Sequence, residues 1–449
     1  MLFSQDTQIF GAAAGAEGKR IRITVSGDGL TNIDKLLSTA EVDMTGKFSV
    51  SLKLSKTTDA TLSINFHTAE IFLEPGKKYD LQISPMNYDD YSETDPFIQS
   101  QNLEVTFRNA SPNELNTLIG KFNSIYNSFL LDNFNALYRD RKKGRIDSLR
   151  VTLDREFGLV ENPYFTGYIT YKLASLEQMS QYYNAAQLAR KYLIDKPVLY
   201  ENPEYMDFFN NYFSKYITVT SIPLHKIDFR PLLTTPDPVK AMMNALATDT
   251  ILKNDQLREL VLLKGLMEFY SLAGYDQKAV ISVLQTIQLN AANPGSREVA
   301  ANILCFLNRL TPGSEAPEFT LTDRNGKEIS LKNYRGKPLL LCFWTTWCEE
   351  CLTELDLMVP LYEKYKVQLP FLCISADKYL SKMILFINLK KDYTWDFANI
   401  GDRLETLIDY EVRSYPLFVL IDSEGKIFRY PAGSPSGDLE AQINQLIKE

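Results

Sequence analysis

The sequence predicts a multidomain chain with an N-terminal β-sandwich, an all-α middle domain and a C-terminal α/β domain. Three observations predict this order: apolar and polar residues alternate at first, helical spacing follows, and buried strands then alternate with helices. We place the three domains at residues 1–110, 111–310 and 311–449.

Alternation of apolar and polar side chains, the period that buries one face of a strand, marks four segments of the first domain. They are KRIRITVSG (19–27), KFSVSLKL (47–54), ATLSINF (60–66) and KYDLQIS (78–84). Turn residues such as Glu74-Pro75-Gly76 separate them. Short strands with frequent turns predict a β-sandwich.

Capping residues before prolines mark helix starts in the middle domain. They occur at Ser111-Pro112, Asn162-Pro163, Asn202-Pro203 and Asn293-Pro294. Long stretches of helical spacing lie between them, for example at 115–138 and 256–274. This domain shows no candidate active site.

The last domain alternates β and α patterns. A hairpin around Asn325-Gly326 opens it, because this dipeptide favours a tight turn. Apolar runs then predict buried strands and polar turns separate the remaining elements. The expected elements are a hairpin at 317–331, strands at 337–344, 370–377, 416–422 and 426–431, a helix beginning at the cysteines, and a closing helix at 438–449.

Composition excludes some functions. The chain has 449 residues, of which 45% are hydrophobic and 23% charged, as in globular proteins. A net charge of -8 argues against a nucleic-acid partner. No apolar run is long enough to span a bilayer, so we expect a soluble chain. The N-terminus, MLFSQDTQIFGAAAGAEG, shows no complete export signal; a frayed terminus and the remnant of a truncated signal both stay open.

The segment FWTTWCEEC (343–351) places Cys348 and Cys351 three apart where a strand leads into a helix. At a helix start, unpaired N–H groups and the helix dipole stabilise a thiolate. We therefore expect Cys348 to be the nucleophile and Cys351, one turn further, to be the resolving thiol. Redox exchange is favoured over a metal site or packing.

The other cysteines and the histidines support no metal site. Cys305, Cys342 and Cys373 are single and widely spaced, and we expect them to be buried small side chains. The only histidines are His67 and His225, and His67 lies in an expected strand, where a structural role is favoured over ligation.

Residues 311–449 resemble the TlpA/ResA-like branch of the thioredoxin superfamily. The matching motifs are P-x-F-x-L-x-D-x-x-G-K at 317–327, F-W-x-x-W-C-x-x-C at 343–351 and V-x-x-Y-P at 412–416. The upstream regions more loosely resemble N-terminal domains of envelope thioredoxin-like proteins from Bacteroidetes. This resemblance implies a thioredoxin-like fold and a thiol-disulfide oxidoreductase with a redox-active disulfide and no bound cofactor.

The resemblance further implies that Tyr415-Pro416 is a cis peptide facing the cysteines, where the backbone pairs with substrate. Trp347 is expected to offer an apolar docking surface beside the pair, and Trp344 either shares this role or belongs to the core. The implied partners are protein disulfide or dithiol substrates and a membrane or envelope redox partner. The implied location is the periplasm or cell envelope, where residues 1–310 would position substrate or anchor a partner.

Three departures from the family pattern surround the pair. Cys342 stands where thioredoxin has a buried Asp that assists proton transfer, and Glu350 and Asp356 stand where most relatives have proline. Glu354 matches a glutamate common in this branch, and proton assistance, solvation and helix capping all stay open for it. Glu349 and Glu350 suit a helix start but disfavour a neighbouring thiolate, unless both simply point to water.

Two alternatives to disulfide reduction follow. The same residues could support oxidation or isomerisation, which differ from reduction only in redox potential. In a different class, the chain would be a binding or scaffolding envelope protein whose thioredoxin-like domain is weakly active or vestigial.

Overall fold

A computed structural model describes residues 4–88, 102–108, 110–401 and 403–448. Residues 1–3, which begin the N-terminal segment where a frayed terminus and a signal remnant both stay open, and residue 449 of the expected closing helix lie outside the described residues. The chain forms two compact units. The described part of the first comprises 4–64, 68–86, 102–108 and 110–307, and that of the second comprises 65–67, 87–88, 308–401 and 403–448. Separate β-sandwich and helical domains within the first unit stay a prediction.

Among the described residues of the N-terminal region, eight strands form two four-stranded sheets. They are β1 (Gln5–Ala13), β2 (Arg20–Ser26), β3 (Asp34–Glu41), β4 (Lys47–Leu54), β5 (Thr58–Ile64), β6 (His67–Leu73), β7 (Lys78–Ile83) and β8 (Val105–Phe107). The strand orders are β4-β1-β7-β8 and β3-β2-β5-β6. The four expected strands correspond to β2, β4, β5 and β7, and in β4 every second side chain is buried, as the alternation predicts.

The interpretation of the N-terminus as a frayed segment is wrong for β1. This strand pairs antiparallel with β4 and parallel with β7, so its backbone hydrogen-bonding groups are satisfied on both sides. Ile9 and Ala13 are fully buried.

Ten α-helices follow in the described part of the first unit. They are α1 (Leu115–Tyr138), α2 (Gly144–Phe157), α3 (Pro163–Met179), α4 (Ala185–Tyr192), α5 (Pro203–Tyr212), α6 (Ile222–His225), α7 (Pro238–Leu246), α8 (Asp255–Tyr270), α9 (Gln277–Asn290) and α10 (Pro294–Asn308). Asn162 and Asn202 cap α3 and α5 through their side chains, as predicted. The expected start at Ser111-Pro112 is wrong: these residues form a turn, and Glu114 caps α1 instead.

Aromatic side chains supply much of the helical core. Tyr171 meets Tyr205 edge to face, with ring centroids 4.7 Å apart, and Phe208 and Phe209 are fully buried nearby. Edge-to-face contacts complement the ring quadrupoles and bury large apolar areas. The 12% aromatic content is therefore partly a property of this core.

Cys305 is exposed, so the expectation that it is buried is wrong. It lies on α10, whose buried positions include Val299, Ile303 and Leu307, spaced four apart along one face. At about 100° per residue, position 305 falls on the opposite side of the helix.

The described residues of the second unit form a seven-stranded sheet and four α-helices. The elements are β9 (Thr320–Asp323), β10 (Glu328–Ser330), β11 (Leu339–Trp344), α11 (Glu349–Tyr365), β12 (Phe371–Ser375), α12 (Leu380–Leu389), β13 (Asp396–Asn399), α13 (Glu405–Asp409), β14 (Leu417–Ile421), β15 (Ile427–Arg429) and α14 (Leu439–Lys448). The strand order is β10-β9-β13-β12-β11-β14-β15, so β11 lies inside the sheet between parallel β12 and antiparallel β14.

Both faces of β11 are covered, as its apolar run predicts. Leu340, Cys342 and Trp344 point into one core, which also contains buried residues of α11 and α14. Leu339, Leu341 and Phe343 point into a second core on the other face. Burial on both sides fixes the carboxyl end of β11, from which the cysteine segment continues.

Candidate redox site

Cys348 and Cys351 form a disulfide at the start of α11. Three residues, Thr345 to Trp347, connect the end of β11 to Cys348, which is the N-cap of the helix and has extended backbone angles. The Cα atoms of the two cysteines are 5.2 Å apart, within the usual range for a disulfide. The strand–helix junction thus brings the two sulfurs together, as the spacing predicts.

The two sulfurs differ in their access to solvent. Cys348 is half-buried, whereas Cys351 is fully buried. The Cys348 sulfur also accepts a hydrogen bond from the backbone N–H of Cys351 at 3.1 Å. One sulfur is therefore accessible and supported by the helix N-terminus, and the other is enclosed by the core.

The Tyr415–Pro416 peptide is cis, as the resemblance implies. Its position beside the disulfide is clear, because the Cys348 sulfur lies 3.7 Å from the carbonyl oxygen of Tyr415. Trp347 meets the Tyr415 ring edge-on, with centroids 6.0 Å apart, and is 39% exposed. Pro416 is half-buried. Cys348, Trp347, Tyr415 and Pro416 therefore come together.

Trp344 belongs to the core. It is fully buried and packs against Phe386 and Phe397, with ring centroids 5.5 and 5.8 Å away. Of the two interpretations of Trp344, the core role is the one that the structure supports.

The three glutamates expected to modulate the site lie in different surroundings. Glu349 and Glu350 are exposed in the first turn of α11. Glu354 is buried and accepts hydrogen bonds from the backbone N–H of Ser436, at 2.9 Å, and from the Ser436 hydroxyl. Its carboxylate thus joins α11 to the segment that precedes α14, and a solvated role is wrong.

Cys342 and Cys373 are fully buried, as expected, and lie directly opposite each other on β11 and β12. Burial raises the pKa of the Cys342 thiol well above its usual range, and the Cys373 thiol and the Glu354 charge act in the same direction. The indole N–H of Trp395 donates to the Cys373 sulfur at 3.1 Å. Cys342 therefore stays protonated at neutral pH and cannot replace a buried carboxylate as a proton acceptor.

Sequence reasoning missed Asp377. Its buried carboxylate accepts hydrogen bonds from Thr346, two residues before the nucleophile candidate, and from Ser375. The available signal was its place just after an apolar strand, where polar residues of parallel strands gather at one sheet edge.

Over the part of the chain that the structure describes, no cluster of three or more His, Cys, Asp or Glu could hold a metal ion. His67 is fully buried and meets the Tyr88 ring edge-on, at 6.0 Å between centroids. Of the helices described, none is long and apolar enough to cross a bilayer.

A sheet with a paired cysteine motif at the start of the helix that follows an inner strand, beside a cis-proline, is typical of thioredoxin-like domains, and the second unit is of this class. A family model described as the AhpC/TSA family matches residues 312–429. The thiol-disulfide oxidoreductase ResA of Bacillus subtilis (strain 168) is 33% identical over 141 residues, which are 31% of this chain and 77% of ResA. ResA of Geobacillus thermodenitrificans (strain NG80-2) is 31% identical over 157 residues, 33% of this chain and 86% of that protein.

Because ResA is covered over most of its length, the chain belongs to the ResA family of thiol-disulfide oxidoreductases. Among solved structures, a thiol:disulfide interchange protein from Bacteroides sp. is 26% identical. The matched region is 31% of this chain and 93% of that chain, with a TM-score of 0.29. A thiol-disulfide oxidoreductase from Bacteroides fragilis NCTC 9343 is 27% identical. There the matched region is 30% of this chain and 99% of that chain, with a TM-score of 0.27.

Proposed function

We propose that this protein reduces protein disulfides in the cell envelope by dithiol–disulfide exchange through Cys348 and Cys351. The observation that carries the proposal is the unequal access of the two sulfurs, one half-buried at the helix N-terminus and one fully buried behind it. A nucleophile needs access to substrate, and a resolving thiol needs access only to the nucleophile.

The exchange proceeds in two steps. The Cys348 thiolate attacks one sulfur of a substrate disulfide; a Cys348–substrate bond forms and the second substrate sulfur leaves as a thiolate, which takes up a proton. Cys351, deprotonated, then attacks the Cys348 sulfur and releases the first substrate sulfur. Two electrons have passed to the substrate, and the enzyme holds the Cys348–Cys351 disulfide.

Return to the dithiol requires two electrons from outside the chain. We assign these to the dithiol of a membrane or envelope redox partner, which becomes a disulfide as it reduces Cys348–Cys351. The resemblance to envelope proteins, rather than a feature of the described residues, supports both this partner and the location.

Substrate docking is assigned to Trp347, Tyr415 and Pro416. The exposed Trp347 ring and the Tyr415 ring form an apolar edge beside the Cys348 sulfur. We assign to the Tyr415 carbonyl, 3.7 Å from that sulfur, a hydrogen bond accepted from an extended substrate backbone. Substrate cysteines flanked by exposed apolar residues fit this surface best.

Insulin reduction tests the proposal. With dithiothreitol as electron donor, the wild-type protein is expected to accelerate insulin reduction, and Cys348→Ser to fall to the rate of dithiothreitol alone. Cys305→Ser is the matched control, because it removes an exposed thiol outside the site and should keep the wild-type rate. Equal rates for the wild type and Cys348→Ser would instead favour the binding or scaffolding role.

A further inference from the structure

We propose that Asp377 is a positioning residue for the redox site, which it serves by holding the segment between β11 and Cys348. This inference rests on the proposed function of Cys348 as the nucleophile. Asp377 lies outside the cysteine motif, 29 positions after Cys348 in the chain.

Asp377 and Thr346 occupy equivalent places on neighbouring strands. The parallel strands β11 and β12 end at Trp344 and Ser375, which lie opposite each other, and each of the two residues follows two positions later. The backbone continues this pairing for one step, because the N–H of Ala376 donates to the carbonyl of Trp344 at 2.8 Å.

Beyond this step, the carboxylate of Asp377 accepts the hydrogen bonds that link the two segments. Its oxygens lie 3.1 and 3.2 Å from the backbone nitrogen of Thr346, which donates to them, and the Thr346 hydroxyl donates at 2.7 Å. The Ser375 hydroxyl donates at 2.6 Å to Oδ2 of Asp377, whereas the Thr346 hydroxyl donates to Oδ1. Asp377 is fully buried, so these bonds are shielded from competing water.

Asn399 fixes Asp377 from the other side. Its side-chain amide donates to the carbonyl of Asp377 at 2.7 Å and to that of Ser375 at 3.3 Å. Asn399 ends β13, so three adjacent strands contribute to one buried polar network. Such a network, once satisfied, favours a single local conformation.

The restraint reaches Cys348 through two residues. The backbone N–H of Cys348 donates to the Thr345 carbonyl at 3.4 Å, closing a turn around Thr346. Holding Thr346 thereby holds Cys348 in the extended N-cap conformation, in which its sulfur meets the Cys351 N–H. The same turn directs Trp347 toward Tyr415.

Alkylation of Cys348 by iodoacetamide in the reduced full-length protein, followed against pH, tests this role. Asp377→Ala should move the midpoint of the Cys348 titration upward by roughly 0.3 to 1 pH unit, because the N-cap geometry that supports the thiolate is lost. Alkylation near neutral pH should slow by about two- to tenfold, as the thiolate fraction falls.

Asp377→Asn separates positioning from charge. The amide oxygen can still accept from Thr346 and the amide N–H can donate to Ser375, so positioning predicts the wild-type midpoint. If the negative charge of Asp377 itself acted on Cys348, Asp377→Asn and Asp377→Ala would both lower the midpoint of the Cys348 titration. That result would overturn the proposal. An unchanged midpoint and rate in Asp377→Ala would overturn it as well.

Two further variants complete the design. Thr346→Val removes the hydrogen bond from the Thr346 hydroxyl to Asp377 and should move the midpoint upward. If Asp377→Ala does not fold, an unchanged midpoint in Thr346→Val overturns the proposal.

Asp249→Ala is the control, because it also removes a buried, hydrogen-bonded carboxylate, in the first unit, and should leave the midpoint unchanged. An equal shift in the control would count against Asp377. Failure of wild-type insulin reduction would remove the proposed function and leave this comparison intact.

Discussion

The backbone N–H of Cys351 donates to the sulfur of Cys348 at 3.1 Å, so the residue expected to resolve the mixed disulfide also supports the nucleophile. This contact exists because Cys348 is the N-cap and not the first helical residue of α11. The first turn of a helix offers N–H groups without intrahelical partners, and here a sulfur takes the place of the usual Ser or Asp oxygen.

Glu349 and Glu350 should oppose ionisation of Cys348. In a Glu349→Gln/Glu350→Gln variant, the midpoint of Cys348 alkylation against pH is expected to fall by a few tenths of a pH unit, because two nearby negative charges are removed. The small size follows from their exposure to solvent.

Glu363→Gln is the control for that measurement. It removes an exposed negative charge from the last turns of the same helix and should leave the midpoint unchanged. If the double variant behaves like this control, Glu349 and Glu350 have no effect on the thiol.

Glu354 should contribute to the stability of the second unit. Glu354→Ala removes the acceptor for both hydrogen bonds from Ser436 and should lower the free energy of unfolding by about 1–3 kcal/mol. Urea denaturation of the full chain, with the transition of the second unit followed separately, measures this. Glu363→Ala, at an exposed position, should change the free energy of unfolding by less than about 0.5 kcal/mol. Equal losses in the two variants would show that the contact between Glu354 and Ser436 contributes nothing.

Asp59 should make the stability of the first unit depend on pH. Burial and the charges of Glu70, Glu204 and Asp207 raise the pKa of Asp59 from 3.8 to about 7. The folded state therefore keeps a proton that the unfolded chain has already lost, and the resulting stabilisation is present below pH 3.8 and is lost as the pH rises through about 7.

Asp59→Asn tests that dependence. At about pH 8 the variant should be more stable than the wild type by roughly 1–3 kcal/mol, and near pH 4 the difference should disappear. Urea denaturation at both pH values gives the comparison, with the exposed Asp154→Asn as control. A difference that is the same at both pH values would contradict the assignment to Asp59.

Local patterns were enough to predict the frame of the redox site. The apolar run of β11 and the cysteine spacing at a helix start are short-range signals, and both correspond to features of the structure. Three elements between β12 and β14 were not predicted: α12, β13 and α13. Two of them have only four or five residues, too few for a period to show.

The contacts that surround the cysteines could not be predicted in this way. Asp377 meets Thr346, and Glu354 meets Ser436, only after distant segments have folded together. Cys305 illustrates the same limit: its helix was expected, but the side of the helix that faces the core depends on the neighbouring helices.

Trapping of the mixed disulfide tests the central claim most directly. Reduced Cys351→Ser protein, mixed with a disulfide-containing substrate such as insulin, is expected to accumulate a substrate-linked species that mass spectrometry maps to Cys348, because no resolving thiol remains. Cys348→Ser should form none. Absence of the adduct in Cys351→Ser, or an adduct only at the exposed Cys305, would contradict exchange through Cys348.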